Sequence, residues 1–183
     1  MQSVLLSVKS VMSVGAFPQG GAIFTGVCDN GAQVRVVASG RAIHRSPVAG
    51  EAWEVHGMFR EDERFGIQLH AERCIYSPPR GRLLIPYLAS NPAFVGIGAV
   101  KARKLYDTFG DHLTEILSSR AVSLLTSVLT EDAANILVDA WADRQAEGEL
   151  IGYLDSRGIS PSLATRIRRA WGDASMEMLD RNP

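Results

Sequence analysis

A chain of 183 residues, 46% hydrophobic and 21% charged, has the composition of one large or two small packed domains, which excludes an intrinsically disordered chain. Its formal net charge of −1 excludes the uniform cationic field of a strongly basic nucleic-acid binder, so any anion site has to be local. No apolar run is long enough to span a bilayer, and Met1-Gln2-Ser3-Val4-Leu5-Leu6 has neither the basic start nor the long apolar core of a signal peptide.

The charge is unevenly spread. Residues 1–90 carry Lys9 and eight arginines against seven acids; residues 91–117 balance at three and three; residues 118–183 hold seven arginines against ten acids. Cys28 and Cys74 stand in apolar, strand-like contexts without C-x-x-C spacing, which reads as reduced core thiols in a cytoplasmic protein.

From Gln2 to Tyr76 the pattern is β. A first strand begins at Ser3-Val4-Leu5-Leu6-Ser7-Val8 and continues toward Val14. Ala22-Ile23-Phe24-Thr25-Gly26-Val27-Cys28 and Gln33-Val34-Arg35-Val36-Val37-Ala38 flank Asp29-Asn30-Gly31, a hairpin turn signal. Alternation resumes over Ala52-Trp53-Glu54-Val55-His56-Gly57-Met58-Phe59, then breaks at a charged tip, Arg60-Glu61-Asp62-Glu63-Arg64, before Phe65-Gly66-Ile67-Gln68-Leu69-His70-Ala71. Five turn-linked strands with glycines where a sheet must coil predict a small closed barrel. An oligonucleotide-binding (OB) barrel is the leading candidate, and an SH3-like barrel reads almost identically. On the OB reading, Arg35, Arg60, Arg64 and exposed aromatics such as Phe65 would contact a nucleic-acid strand. The alternative places Phe24, Trp53, Phe59 and Phe65 in the barrel core and leaves the arginines to solvent. His44, His56 and His70 show no metal-ligand spacing, so no metal site is expected.

Ser77-Pro78-Pro79-Arg80-Gly81 ends the β pattern and divides the chain into residues 1–79 and 80–183. Beyond it the period is helical. Leu83, Leu84, Tyr87 and Leu88 form a first apolar face, limited by Pro86 and stopped at Asn91-Pro92. Val95-Gly96-Ile97-Gly98 then opens into a helix over Ala99-Val100-Lys101-Ala102-Arg103-Lys104-Leu105, running to about Thr108. Glycines let backbone amides approach a ligand, the helix start adds unpaired N–H groups and a positive dipole end, and Lys101 and Lys104 stand close by. That combination suits phosphate, although short Gly-x-Gly turns also serve as connectors. Gly110 reads as a helix stop and Asp111 as the next N-cap. Further helices are expected over residues 121–129 and 131–146, the second with Ala133, Ile136, Leu137, Ala140 and Trp141 inward and Asp132, Asp139, Asp143 and Glu147 outward.

Sliding the chain against itself by 62 residues aligns Gly96-Ile97 with Gly158-Ile159, Ala102 with Ala164, Leu105 with Ile167, and Phe109-Gly110-Asp111 with Trp171-Gly172-Asp173. Glu115 falls on Glu177 and Leu117 on Leu179, and no gap is needed across 22 positions. Two copies of one helical unit account for this. The second copy replaces Gly98 by Ser160, followed by Pro161 at an N1-like position, and Lys101 by Leu163. The chain has no G-x-x-x-x-G-K-[ST] loop, no zinc-ligand cluster and no supported Ser/His or Cys/His arrangement, so neither an enzyme activity nor a cofactor is expected.

The Gly96-Ile97-Gly98 turn followed by Lys101-Ala102 resembles the helix-hairpin-helix motif, a sequence-independent binder of the DNA backbone. A barrel followed by two such motifs, near residues 94–105 and 156–167, resembles the N-terminal region of long-form RecD-like DNA helicases of superfamily 1. The matching pieces include Gly50-Glu51, Gly57, Phe65-Gly66-Ile67-Gln68-Leu69, Tyr87-Leu88-Ala89-Ser90, Gly96-Ile97-Gly98, Phe109-Gly110, Trp141, Leu154, Gly158-Ile159-Ser160, Trp171-Gly172 and Asn182-Pro183. In that family the ATPase motor begins shortly after such an Asn-Pro, so the chain resembles an accessory region or a stand-alone relative.

The resemblance implies an α+β chain, an OB-like barrel followed by an all-α tandem helix-hairpin-helix domain. It implies DNA as partner, in single-stranded, forked or junction form, and a helicase motor in the same full-length protein, acting in repair or recombination. Gly96, Ile97, Gly98, Lys101, Arg103 and Lys104 would form the first grip, and Gly158, Ser160, Thr165 and Arg166 a weaker second one. A RuvA-like Holliday-junction protein is the nearest alternative, with hairpins that follow each other more closely. A protein-docking module without DNA affinity is another.

Overall fold

The computed structural model describes residues 1–160 and 163–181, with Asp155 described by its backbone alone. The helix start expected at Pro161 and the closing Asn182-Pro183 pair lie outside the described residues.

Five strands form the N-terminal half: β1 (Gln2–Val14), β2 (Gly21–Cys28), β3 (Gln33–Ser39), β4 (Ala52–Asp62) and β5 (Gly66–Ser77). They close into a barrel in the order β1-β2-β3-β5-β4, with β3 and β5 parallel and the other pairs antiparallel. β1 makes the closure. Its residues 2–7 pair with β4 and its residues 6–14 with β2, and register shifts at Val8/Ser10 and Val11/Ser13 let it coil from one partner to the other. The result is compatible with the OB-like expectation. At the β2–β3 turn Gly31 N–H donates to the Cys28 carbonyl at 2.9 Å, and Asn30 Oδ1 accepts from Ala32 N–H at 3.0 Å, the local bonding the Asp-Asn-Gly signal predicts.

Alternation fills the barrel. Leu6, Val8, Phe24, Val36, Trp53, Val55 and Leu69 point inward, joined by Ala42 and Ile43 from the β3–β4 connection. The four aromatics divide: Phe24 and Trp53 are core, whereas Phe59 and Phe65 remain 39% and 52% exposed.

The helical half runs α1 (Leu84–Ser90), α2 (Ala99–Phe109), α3 (Leu113–Ser118), α4 (Val122–Leu125), α5 (Glu131–Ser156), α6 (Ala164–Trp171) and α7 (Ser175–Arg181). Four expectations are corrected. The helix expected over residues 121–129 is a single turn, and α5 runs ten residues past the expected Ala146. Asp111 caps nothing: it lies inside a 3-10 turn, Gly110–His112, and accepts the Tyr106 hydroxyl at 3.1 Å. Ile136 is 49% exposed, and the buried stripe in the first half of α5 is Ala134, Leu137, Val138 and Trp141.

Trp141 anchors the larger helical core, with the rings of Tyr87 and Phe94 at 6.1 and 6.4 Å. A smaller core gathers Leu150, Ile151, Leu154 and Ala164 beneath Ile159, Ile167 and Leu179. The barrel meets the helices through a tight seam. A Cβ on Gly50 would stand 2.5 Å from the Pro86 carbonyl, so only glycine lets this loop reach α1. Beside it, buried Glu51 accepts both Arg45 terminal nitrogens at 2.9 and 3.0 Å, Trp53 Nε1 at 3.2 Å and Val48 N–H at 3.0 Å. Arg45 in turn stacks over Trp53 and Tyr76. No described helix is long and apolar enough to cross a membrane.

The 62-residue echo recurs in backbone geometry. Gly96 and Gly158 both have positive φ, +79° and +68°. Gly110 ends α2 at φ 56°, ψ −135°, and Gly172 ends α6 at φ 55°, ψ −131°. A 3-10 turn follows each, Gly110–His112 and Gly172–Ala174, and then a short helix. The counterpart of α1 is the C-terminal end of α5.

Candidate nucleic-acid interface

The first turn is built by two buried pegs. Asn91 ends α1 with its N–H on the Tyr87 carbonyl at 3.2 Å, its side-chain oxygen accepts Ala93 N–H at 3.0 Å, and its carbonyl accepts Phe94 N–H at 3.1 Å. Phe94 and Ile97, each 3% exposed, sink into the core around Trp141, and Ile97 N–H donates to the Phe94 carbonyl at 3.2 Å. Between and after these pegs Val95, Gly96, Gly98, Ala99 and Val100 are all exposed. The positive φ of Gly96 is a conformation that a β-carbon disfavours, and Gly98 caps α2 without a side chain. The first intrahelical bond is Ala102 N–H to Gly98 O at 2.9 Å, so the N–H groups of the opening turn face outward with no side-chain cap over them.

Three cations surround this start. Lys101 Nζ reaches back to the Gly96 carbonyl at 3.0 Å, which holds the ammonium over the turn. Lys101, Arg103 and Lys104 are exposed, and among the described residues none pairs with a carboxylate. Elsewhere Arg45, Arg120, Arg144, Arg157, Arg168 and Arg181 each face one. Of the six residues assigned to this site, five present themselves to solvent; Ile97 contributes as the peg that fixes the turn.

The second turn is placed differently. Gly158 and Ser160 are exposed and Ile159 half-buried, its N–H on the Leu154 carbonyl at 2.9 Å. Ser160 lines a cleft of about 490 Å³ with Gly15, Gly20, Gly40 and His44, so this turn faces the barrel loops. Arg157 lies 3.8 Å over the Tyr153 ring and pairs with Asp180, while Arg168 pairs with Asp143. Thr165 and Arg166 stay exposed on α6, but Leu163, at the position of Lys101, is half-buried.

A separate cluster lies on the barrel. The Arg35 guanidinium sits 4.2 Å from the Phe65 ring centroid and Arg64 at 5.6 Å, and Arg35 Nη1 also approaches Met12 Sδ at 3.2 Å. Arg35, Gln68 and Arg60 share one register row across β3, β5 and β4. Asp62 shapes the tip, its Oδ1 accepting the N–H groups of Arg64 and Phe65 at 2.9 and 3.0 Å. β5 starts beside this tip and ends where the chain enters the helices. The arginines of the barrel and the residues of the first turn belong to different elements, the β3–β5–β4 face and the start of α2.

Sequence reasoning did not single out the exposed pair Val95 and Val100, 69% and 82% accessible on either side of the turn. Their signal was their place beside two exposed glycines. Both thiols are held in the protonated form: burial pushes Cys74 up to about 12, and burial and the neighbouring Asp29 raise Cys28. Against family models, curated proteins and solved structures alike, the chain finds no match.

Proposed function

We propose that this chain is a sequence-independent DNA-binding module that grips one phosphate backbone at the turn formed by residues 96–104. The observation that carries the reading is the uncapped start of α2, opened by Gly96 and Gly98 and ringed by three exposed cations with no carboxylate partner. Amide N–H groups of the opening turn bond phosphate oxygens, the dipole end adds positive potential, and Lys101 and Lys104 replace counterions along the strand. Contacts made to phosphate carry no sequence information, so the grip is indifferent to sequence.

The second turn is the weaker partner in this reading, because Leu163 stands where a lysine would and the turn looks onto barrel loops. Arg35, Arg60 and Arg64 supply a further basic contact on the barrel. The whole fits a cytoplasmic accessory region of a RecD-like helicase, one that holds DNA for an ATPase motor and does no nucleotide chemistry itself.

Electrophoretic shifts with duplex, forked and four-way DNA test this. The reading predicts shifts at low salt that are independent of base sequence. A strong preference for the four-way form supports a RuvA-like junction protein instead, and no affinity at low salt makes the chain a docking module.

A further inference from the structure

We infer that the outer face of α6 and α7 is a docking surface for an amphipathic helix of a partner protein, one whose apolar stripe follows that of the first half of α5. It does not depend on the DNA reading; the 62-residue repeat carries it. At that offset Leu105, Phe109, Leu113 and Leu117 of the first unit fall on Ile167, Trp171, Ser175 and Leu179 of the second. In the first unit the three leucines are fully buried and Phe109 packs against the same core. α4 and the first half of α5 pack over α3 and close that core with Leu125, Leu137, Val138 and Trp141. Among the described residues the core of the second unit draws only on α5, α6, α7 and Ile159. The end of α5 serves it as α1 serves the first unit, and no described helix takes the place of the cover. Ile167 and Leu179 are accordingly only half-buried, and Trp171 is 39% exposed.

The cover on the first unit also defines what fits the second. Trp141 lines a cleft with Thr114 and Ser118 and donates its Nε1 to Ser118 Oγ at 3.0 Å. At the same offset the second unit carries Met176, 38% exposed, and Asp180, which Tyr153 and Arg157 hold in place. A thioether packs well against an indole ring, and a carboxylate accepts an indole N–H as the serine hydroxyl does. The occupant is therefore a helix with a small residue, two branched aliphatics and a tryptophan at the spacing of Ala134, Leu137, Val138 and Trp141. Ser175 stands where Leu113 does, so less apolar area is gained than in the first unit and the partner binds reversibly.

A fluorescein-labelled peptide of residues 130–145, the segment that covers the equivalent face, is titrated against the full chain and followed by fluorescence anisotropy. Saturable binding is expected, weakened about tenfold by Met176→Glu and retained by Met176→Leu, as for an apolar anchor at the centre of an interface. A peptide carrying Leu137→Asp should not bind. If Met176→Glu binds the peptide as the wild type does, the peptide has exchanged into the first unit and the docking surface is overturned. It is overturned equally if the wild-type chain shows no saturable binding, or if the Leu137→Asp peptide binds as well as the unmodified one.

Discussion

Lys101 and Lys104 differ from most of the arginines in the second half of the chain in having no acid to answer them, and Gly96 differs from an ordinary turn residue in its φ of +79°. A Cβ added at Gly96 meets no atom within 4 Å, so the cost of Gly96→Ala is conformational and amounts to about 1–2 kcal/mol. Thermal unfolding followed by circular dichroism should show that modest loss, together with weaker DNA binding because the turn re-aims the amides. The same substitution at Gly158, φ +68°, carries a similar stability cost and a smaller effect on DNA. Cys74 gives a second check at this scale. A thiol 8% exposed and shifted to about 12 presents almost no thiolate at neutral pH, so a maleimide should leave Cys74 unmodified in the native chain and label it after denaturation.

Among the elements, the barrel strands were legible because half-buried strands alternate and Asp29-Asn30-Gly31 marks its own turn. The fate of the aromatics was not: Phe24 and Phe65 both fall in strand-like runs, and the fold puts Phe24 inside the barrel and Phe65 at the β4–β5 tip. The repeat was legible through its glycines and small packing residues, since Gly96, Ala102 and Gly110 are held by backbone conformation and close packing and not by surface chemistry. The length of α5 was not legible, because Gly148 and Gly152 are poor helix formers that α5 nonetheless contains. A Cβ at Gly148 would lie 3.7 Å from the Tyr76 ring, so a small residue there keeps the helix close to β5. The expected cap at Asp111 failed because the 3-10 turn Gly110–His112 already bridges α2 to α3. Trp141 is the element-level keystone, 1% exposed, with its Nε1 donating to Ser118 Oγ at 3.0 Å. Trp141→Ala should cost about 3–5 kcal/mol in urea unfolding, through the cavity left between α1, α3 and α5.

For the whole molecule, what matters is how the barrel is fixed to the helices. The seam rests on Gly50 against α1, and beside it the carboxylate of Glu51 ties Arg45, Trp53 and Val48 together within the barrel half. Removing that carboxylate leaves the half-buried Arg45 charge without its partner, so Glu51→Ala should lose about 3 kcal/mol of stability in denaturant titration.

The central claim, a phosphate grip at residues 96–104, is tested most directly by the salt dependence of duplex affinity in wild type and in the Lys101→Ala/Lys104→Ala variant. Plotted as log affinity against log salt, each lysine that replaces a counterion contributes roughly one unit of slope. The account predicts that the double variant binds more weakly on every sequence and that its slope is shallower by about two. An unchanged slope and affinity in the double variant would contradict it.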